Sequence, residues 1–180
     1  MHERRFQGAI ERLRSADRVN RLEVERVIDL CLKDGSRVSV LEVGTGTGLF
    51  AEAFARRGVK VSGVDVNPQM LIATRGFVPQ GDFREGTAEE LPYPDRSFDL
   101  IFLGLVLHET GDAVRALKEA RRTTRKRVCI LEWPYREQSF GPPLADRLKP
   151  EGLERSIQAA GFLSWKATDL SNTVLYLLEI

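Results

Sequence analysis

The chain has 180 residues, 42% of them hydrophobic, which is long enough for one domain to bury a sizeable core without metals or disulfides. Its 27 lysines and arginines nearly balance its 26 aspartates and glutamates, so the net charge of +1 gives no general attraction to nucleic acid or anionic membranes. The N-terminal sequence MHERRFQGAI lacks the apolar core of a signal peptide, and no apolar run approaches the roughly 18 residues that cross a bilayer. We therefore expect a cytoplasmic protein without a membrane span.

From residue 37 onwards, short apolar runs alternate with segments of helical periodicity, a pattern typical of a parallel sheet covered by helices on both faces. The predicted parallel strands are Arg37–Val43, Val59–Asp65, Phe83–Glu85, Phe98–Leu103 and Arg127–Trp133. The predicted helices are Leu22–Lys33, Leu49–Arg57 before Gly58, a helix from Asn67 and Pro68 to Gly76, and one from Asp112 to about Thr123.

The end of the chain follows a different pattern. A helix over Glu151–Ala160 precedes two strand-like runs, Phe162–Thr168 and Thr173–Ile180, which only DLSN separates. That connection is too short for a crossover helix, so the two strands should pair antiparallel. We predict a Rossmann-like, doubly wound α/β fold with a seven-stranded, mostly parallel sheet. The single domain divides into N-terminal helices (1–36), a core (37–132), a substrate loop (133–150) and a closing helix with a hairpin (151–180).

The two cysteines, Cys31 in a helical pattern and Cys129 in a strand-like run, form neither a disulfide framework nor a metal-binding CxxC motif. We expect two reduced, buried thiols and no metal site.

The sequence VSVLEVGTGTGLF places Gly44, Gly46 and Gly48 in the turn from the first strand into the following helix, where a ligand would pack against bare backbone. A dinucleotide fingerprint, GxGxxG, would need glycine at position 49, which is Leu49. Glu42 precedes the glycines and suits a cationic ligand better than a pyrophosphate. Asp65 ends the second strand, where a carboxylate can accept hydrogen bonds from both ribose hydroxyls. The pattern predicts an adenosine-type ligand with a cationic tail.

Three motifs in order carry a family resemblance. VLEVGTGTG resembles the (D/E)xGxGxG motif of class I S-adenosylmethionine-dependent methyltransferases, and GVDVNPQML resembles their second motif. GTAEELPYPDRSFDLIFLGLVLHE is similar to the branch that includes the ubiquinone and menaquinone biosynthesis methyltransferases. The resemblance covers Arg37 to about Glu132, and it implies S-adenosylmethionine as cofactor and S-adenosylhomocysteine as product.

The resemblance also implies roles for individual residues. The amino acid end of the cofactor would lie against Glu42, Gly44, Thr45, Gly46 and Gly48; its adenosine would contact Asp65, Val66, Thr87, Ala88 and Glu89; its methyl group would lie beside Leu103, Gly104 and His108. Thr87 stands where the family usually has aspartate, which would weaken the bond to the adenine edge because a neutral hydrogen bond is weaker than a charged one.

Alternative interpretations stay open for two of these residues. Asp65 could cap the helix that starts near Asn67, and His108 could be a structural histidine. A general base is needed only for an acidic or weakly nucleophilic acceptor. The candidate bases, in order of preference, are His108, Glu109, Glu132 and Tyr135.

A small-molecule acceptor fits best, since LGLVLHE differs from the Asn-Pro-Pro-Tyr motif of DNA methyltransferases and the chain has no room for a target-recognition domain. Its pocket would use the N-terminal helices and the loop Trp133–Pro150, with a partner subunit completing it if the protein is a homo-oligomer. The basic run Arg115–Arg127 fits a solvated helix face, which leaves RNA or phospholipid contact as the lesser alternative.

Two other functions remain alternatives. One is a nicotinamide-dependent oxidoreductase, which Leu49 and the terminal hairpin argue against. The other is a binding protein that keeps the fold with little turnover, which Thr87 and the short substrate loop leave open.

Overall fold

The computed structural model describes residues 10–33 and 38–180, which form seven strands and seven α-helices. The strands are β1 Ser39–Val43, β2 Lys60–Asp65, β3 Asp82–Glu85, β4 Phe98–Gly104, β5 Thr124–Glu132, β6 Trp165–Asp169 and β7 Val174–Glu179. The helices are α1 Ile10–Leu13, α2 Ala16–Arg21, α3 Val24–Cys31, α4 Leu49–Arg56, α5 Pro68–Phe77, α6 Ala113–Thr123 and α7 Pro150–Ala159. Two short 3-10 turns, Leu107–Glu109 and Leu144–Asp146, follow β4 and precede α7.

All seven strands join one sheet in the order β3-β2-β1-β4-β5-β7-β6. The first five strands are parallel to one another, whereas β7 lies antiparallel between β5 and β6. The predicted fold class and the antiparallel terminal hairpin are therefore confirmed. Strand order reverses next to β1, and open α/β sheets bind ligands beyond the carboxyl ends of their strands at such a point.

Three strands begin two or more residues away from their predicted starts, and the other boundaries differ by at most one residue. Residue 37 lies outside the described residues, and β1 is described from Ser39. β5 begins at Thr124 rather than Arg127, because α6 passes directly into a strand that already pairs with Phe98. β6 begins at Trp165 rather than Phe162, because the Phe162 N–H closes the last turn of α7 on the Ile157 carbonyl and its ring is buried.

Helix ends follow the predicted signals. α4 ends just before Gly58, which has a φ of 74°. Asn67 caps α5 by accepting a hydrogen bond from the Gln69 N–H at 3.0 Å, and Pro68 occupies the first helical position. The predicted Leu22–Lys33 helix is α3, and its Val27 and Ile28 are fully buried.

The core has two apolar layers, one on each face of the sheet, because successive strand residues point to opposite sides. Val40 and Phe102 belong to the layer beneath α3 and α4, whereas Leu41 and Leu103 belong to the layer beneath α6 and α7. Both cysteines are free and buried, as predicted. They are not separated in space: burial and then the neighbouring Cys129 thiol raise the pKa of Cys31.

The basic run is largely neutralised by the chain itself. Arg122 pairs with Glu119 and Asp95, and Arg125 pairs with Asp99. These contacts hold α6 against the loop before β4, and the start of β5 against the start of β4. Within the described part of the chain, no helix has the length and apolarity to cross a membrane.

Candidate functional site

A cleft of about 1090 Å³, including its open mouth, lies at the carboxyl ends of β1, β2 and β4. Its walls come from Leu13 and Arg18, residues 42–47 with Leu49 and Phe50, residues 64–67 with Met70, Gly86, Ala88 and Glu89, and residues 104–106, 109 and 110. Five segments that are separate in the sequence therefore converge on one cleft.

The three glycines after β1 each have a different reason to lack a side chain, beyond their shared positive φ of 69°, 52° and 74°. A Cβ on Gly44 would lie 2.5 Å from Val106, and one on Gly48 would lie 2.7 Å from Thr74. A Cβ on Gly46 would meet nothing within 4 Å, because this glycine faces the cleft. Gly44 and Gly48 thus shape the loop, and Gly46 leaves space for a ligand.

The N–H groups of this loop are used by the protein itself. Gly44 and Thr45 donate to the Val64 carbonyl, Gly48 donates to the Thr45 carbonyl, and Gly46 donates to the Asp65 carboxylate at 2.7 Å. A pyrophosphate bound in a dinucleotide fold needs such donors free at the helix N-terminus. The loop therefore has four fewer free donors to offer a pyrophosphate.

Glu42 lies under the loop with 2% of its surface exposed. Its carboxylate accepts a hydrogen bond from the Thr45 hydroxyl at 2.7 Å and another from the Ala51 N–H in the first turn of α4. Burial raises the pKa of Glu42 to about 8, with a further rise from Asp65 that Arg14 partly offsets. The Glu42 carboxyl thus holds the helix N-terminus, and a positively charged ligand would favour its ionised form.

Asp65 joins the glycine loop to the end of β2. One carboxylate oxygen accepts from Gly46 N–H, and the other accepts from Asn67 N–H at 2.9 Å. Burial raises the pKa of Asp65, and these backbone bonds oppose the rise. Because a carboxylate has about four acceptor positions, it can hold these two bonds and still accept from a diol. Because Asn67 is the N-cap of α5, Asp65 does not cap that helix; it ties the glycine loop to the turn before α5.

The N-terminal helices cover one side of the cleft. Arg14, between α1 and α2, donates to the Thr47 carbonyl at 2.8 Å, pairs with Glu52 and stacks on Phe77. These contacts hold Leu13 and Arg18 over the loop.

Comparison with known proteins identifies the family. A family model described as "Methyltransferase domain" matches residues 41–131, half of the chain and the part that contains the glycine loop, Asp65 and the segment after β4. The chain belongs to the class I S-adenosylmethionine-dependent methyltransferases. The resemblance stated from the three motifs is thereby confirmed.

Two relatives and one solved structure illustrate the similarity. This methyltransferase chain is 37% identical to a demethylmenaquinone methyltransferase of Chlorobaculum tepidum over 91 residues, which is 50% of the chain and 38% of that protein. It is 34% identical to the uncharacterized methyltransferase YcgJ of Bacillus subtilis over 144 residues, which is 76% of the chain and 57% of YcgJ. A SAM-dependent methyltransferase structure from Aquifex aeolicus has the same fold, with a TM-score of 0.84 at 22% identity over 95% and 96% of the two chains. The chain spans less than half the length of the first curated relatives it matches.

The cleft of this methyltransferase fits S-adenosylmethionine by its chemistry. Its described lining carries the carboxylates of Glu42, Asp65, Glu89 and Glu109 against one cation, Arg18. The cofactor has two positive charges and one carboxylate, so the excess of acid complements it. The predicted residues that line the cleft are Glu42, Gly44, Thr45, Gly46, Asp65, Val66, Ala88 and Glu89.

Four predicted cofactor or catalytic residues do not line the cleft. Gly48 supports it from behind, Leu103 is buried in the sheet, and Thr87 forms a bridge with Glu90 beside it. His108, the fourth, lies behind the wall.

His108 forms a buried pair with Glu132 at the end of β5. Its Nδ1 lies 2.9 Å from Glu132 Oε2, its backbone N–H donates to Glu132 Oε1, and only 6% of its side chain is exposed. Burial lowers the pKa of His108, but Glu132 and then Glu109 outweigh it, so the net shift is upward. The sequence placed His108 beside the methyl group, whereas the structure places Glu109 in the wall, with its carboxylate 3.7 Å from His108 Nε2.

The segment predicted as a substrate loop, Trp133–Pro150, contributes no residue to this cleft. It folds around Arg147, whose guanidinium is buried and donates to the carbonyls of Pro134, Arg136, Phe140 and Pro142. Tyr135, the fourth candidate base, is exposed on this loop. The sequence analysis ranked Glu109 second among the candidate bases. It missed Arg18, because nothing in the pattern of a short N-terminal helix shows which side chain reaches the cleft.

Proposed function

We propose that the protein binds S-adenosylmethionine in this cleft and transfers its methyl group to a small-molecule acceptor. The observation that carries the proposal is the position of Glu42. A buried carboxylate occupies the N-terminus of α4, where a dinucleotide-binding protein would hold a phosphate. Together with Asp65 at the neighbouring strand end, it favours an adenosine ligand with a cationic tail over NAD.

When bound, S-adenosylmethionine supplies an electrophilic methyl group: the acceptor's lone pair forms the new bond while the sulfur–methyl bond breaks, leaving S-adenosylhomocysteine. Asp65 would accept hydrogen bonds from the ribose, and Glu42 would offset the positive charge of the ammonium group. Gly46 would let the ligand approach the backbone. Positioning of this kind supplies most of the rate, since effective molarities of about 10⁵ M or more are known for aligned reactants.

Glu109 is the proposed group for taking a proton from an acidic acceptor, in place of His108. It lines the cleft, and burial raises its pKa while His108 lowers it. His108 stands behind it, and its charge favours the ionised form of Glu109, which is the form that accepts a proton. This assignment makes His108 a positioning residue.

The acceptor is proposed to be a small molecule because the cleft mixes carboxylates with apolar walls from Leu13, Phe50, Met70 and Leu105. The demethylmenaquinone methyltransferases among the relatives act, by their names, on a small molecule, which supports the same class here.

Calorimetric titration with S-adenosylmethionine and S-adenosylhomocysteine tests the cofactor site. We expect saturable binding to the wild type, at least about tenfold weaker in Asp65→Asn and Asp65→Ala, because one charged hydrogen-bonding partner is worth about 1.5–3 kcal/mol. Asp169→Asn, at an exposed position on β6, is the matched control and should bind as the wild type does.

Three outcomes distinguish a methyltransferase from an NAD-dependent enzyme and from a binding protein. Wild type that binds neither compound, or that binds NAD instead, refutes the proposal. Cofactor binding with formation of S-adenosylhomocysteine in the presence of an acceptor supports it. Binding without methyl transfer to a broad panel of phenols, amines, thiols and carboxylates supports a binding protein that has kept the fold.

A further inference from the structure

The carbonyl group of Gly46, the glycine that faces the cleft, is held by a side chain from another element. Thr74, on α5, is fully buried, and its hydroxyl donates to the Gly46 carbonyl at 2.7 Å. Packing does not fix Gly46, because it has no side chain and a Cβ there would meet nothing within 4 Å. Hydrogen bonds therefore determine where the backbone lies at this point of the cleft.

Three polar groups of two neighbouring loop residues are bound by side chains from three separate parts of the chain. The Gly46 N–H donates to Asp65 at 2.7 Å, at the end of β2, while the Gly46 carbonyl accepts from Thr74. The Thr47 carbonyl accepts from Arg14 at 2.8 Å. Of these three side chains, Thr74 alone is uncharged, and it lies behind the loop rather than in the cleft wall. It can act on a ligand through Gly46 without touching it.

The Thr74 hydroxyl is directed to the loop more than to its own helix. A threonine within a helix commonly donates its single hydroxyl proton to the carbonyl four residues earlier. That carbonyl, of Met70, is 3.0 Å from the hydroxyl, whereas the Gly46 carbonyl is 2.7 Å away. Thr123, an equally buried threonine on α6, donates to the Glu119 carbonyl of its own helix at 2.8 Å. The two threonines therefore form a matched pair, one bound to the loop and one not.

The methyl group of Thr74 makes a second contact with the same loop. A Cβ on Gly48 would lie 2.7 Å from this methyl carbon, so the methyl packs against the bare backbone of Gly48. Valine is also branched at Cβ and would keep the methyl contact without the hydroxyl. Serine would keep the hydroxyl without the methyl. The two contacts can therefore be separated by substitution.

We propose that Thr74 is a positioning residue for the cofactor: its hydroxyl holds the Gly46 carbonyl, so that the glycine loop has its ligand-binding conformation before the ligand arrives. The inference rests on the proposed function, because it concerns the same cofactor site. A glycine without this bond would sample other backbone conformations, and binding would then include the cost of ordering it. Thr74 thus raises the affinity for the cofactor without contacting it.

Calorimetric titration with S-adenosylhomocysteine tests the proposal in three variants. Thr74→Val should bind roughly two- to tenfold more weakly than the wild type, the equivalent of one neutral hydrogen bond. Thr74→Ser should bind as the wild type does, although it should melt at a lower temperature because a buried methyl is lost. Thr123→Val makes the same exchange at the amino end of β5, the edge of the sheet opposite the cleft. It should lower the free energy of unfolding and leave the affinity unchanged.

Amide hydrogen exchange of the ligand-free protein, followed by NMR, measures the loop directly. The Gly46 N–H should exchange faster in Thr74→Val than in the wild type, because the bond to Asp65 opens more often when the carbonyl of the same residue is not held. The amides of β1 should exchange as before. Thr123→Val should leave the Gly46 exchange rate unchanged, and S-adenosylhomocysteine should slow the exchange in every variant that binds it.

A second comparison covers the case in which Thr74→Val does not fold. Thr74→Ser and Thr74→Ala differ only in the hydroxyl, so serine should bind more tightly than alanine by the same two- to tenfold factor. Wild-type affinity in Thr74→Val or in Thr74→Ala would overturn the inference, as would an equal loss of affinity in Thr123→Val. Failure of the wild type to bind S-adenosylhomocysteine refutes the proposed function instead, and the ligand-free exchange of Gly46 still decides whether Thr74 holds the loop.

Discussion

At the scale of single residues, three glycines with the same backbone conformation have different structural roles. Gly44 and Gly46 lie in the loop after β1 and Gly58 lies after α4, all with φ between 52° and 74°. What differs is the space that a side chain would enter. Gly44 is pressed against Val106, Gly46 opens to the cleft, and Gly58 meets nothing within 4 Å. Backbone strain and ligand access can therefore be separated by experiment.

Substitution of each glycine by alanine should give three distinct results. Gly58→Ala and Gly46→Ala should each cost about 1–2 kcal/mol of unfolding free energy for the left-handed conformation. Gly44→Ala should cost about 1–3 kcal/mol more, because its Cβ overlaps Val106. Gly46→Ala alone should combine modest destabilisation with loss of S-adenosylhomocysteine binding. Urea unfolding and calorimetry measure the two effects; normal binding by Gly46→Ala would contradict the assigned ligand position.

At the scale of elements, the turn after β4 is tied to the end of β5 through one ion pair. The Glu132 carboxylate accepts from the His108 backbone and ring and from the Trp133 N–H. Glu109 and Asp146 also face His108 with negative charge. The pair holds the Leu107–Glu109 turn, which places Glu109 in the cleft wall. A histidine and a glutamate that are buried to hold a turn, as His108 and Glu132 are, look like candidate catalytic residues when only the sequence is known.

The contribution of this pair to stability should depend on pH. The pKa of His108 is higher in the folded protein than its ordinary value, so the stabilisation is complete below about pH 6.5 and is lost as pH rises through the raised folded value. Glu132→Gln should therefore cost about 1.5–3 kcal/mol in the acidic range and less in alkaline solution. Thermal unfolding across this range measures the difference.

Glu137→Gln, at an exposed position of the neighbouring loop, serves as the control and should show no such pH dependence. A cost for Glu132→Gln that stays constant with pH would mean that His108 is neutral in the fold and that the pair acts only as a hydrogen bond.

At the scale of the whole molecule, the buried acids of the cleft destabilise the fold that contains them. Glu42 is buried with a pKa of about 8, and Asp65, whose pKa burial also raises, lies near enough to add repulsion. Arg14, Thr45 and the Ala51 N–H oppose this only in part. A positively charged ligand would offset this repulsion. Folding and ligand binding should therefore both depend on the ionisation of Glu42.

This linkage predicts opposite pH trends for stability and for binding. The unfolded chain releases the Glu42 proton near its ordinary pKa, and the folded chain releases it near 8, so the free energy of unfolding should fall between these values as pH rises. The affinity for S-adenosylmethionine should rise through the same range, with release of a proton on binding. Glu42→Gln should flatten both trends and weaken binding.

Unfolding at several pH values and calorimetry in buffers of different ionisation enthalpy provide the measurements. The exposed Glu90→Gln should behave like the wild type. 5′-Methylthioadenosine, which lacks the ammonium group, should show little of the pH dependence. If Glu42→Gln retained the trends of the wild type, another group, with Asp65 the first candidate, would carry the linked proton.

The sequence by itself determined the order of the elements, the seven-stranded sheet and the loop of three glycines with its two acids, because periodicity, caps and glycine placement are local properties. It also determined the antiparallel hairpin, since four residues cannot contain a crossover. Only the tertiary structure decided which side chains reach the cleft. His108 and Glu109 are adjacent in sequence, yet one turns toward Glu132 and the other toward the cleft. Arg18 joins the site through the docking of Arg14 on Thr47, and Cys31 meets Cys129, because contacts between residues distant in sequence depend on packing that no local pattern encodes.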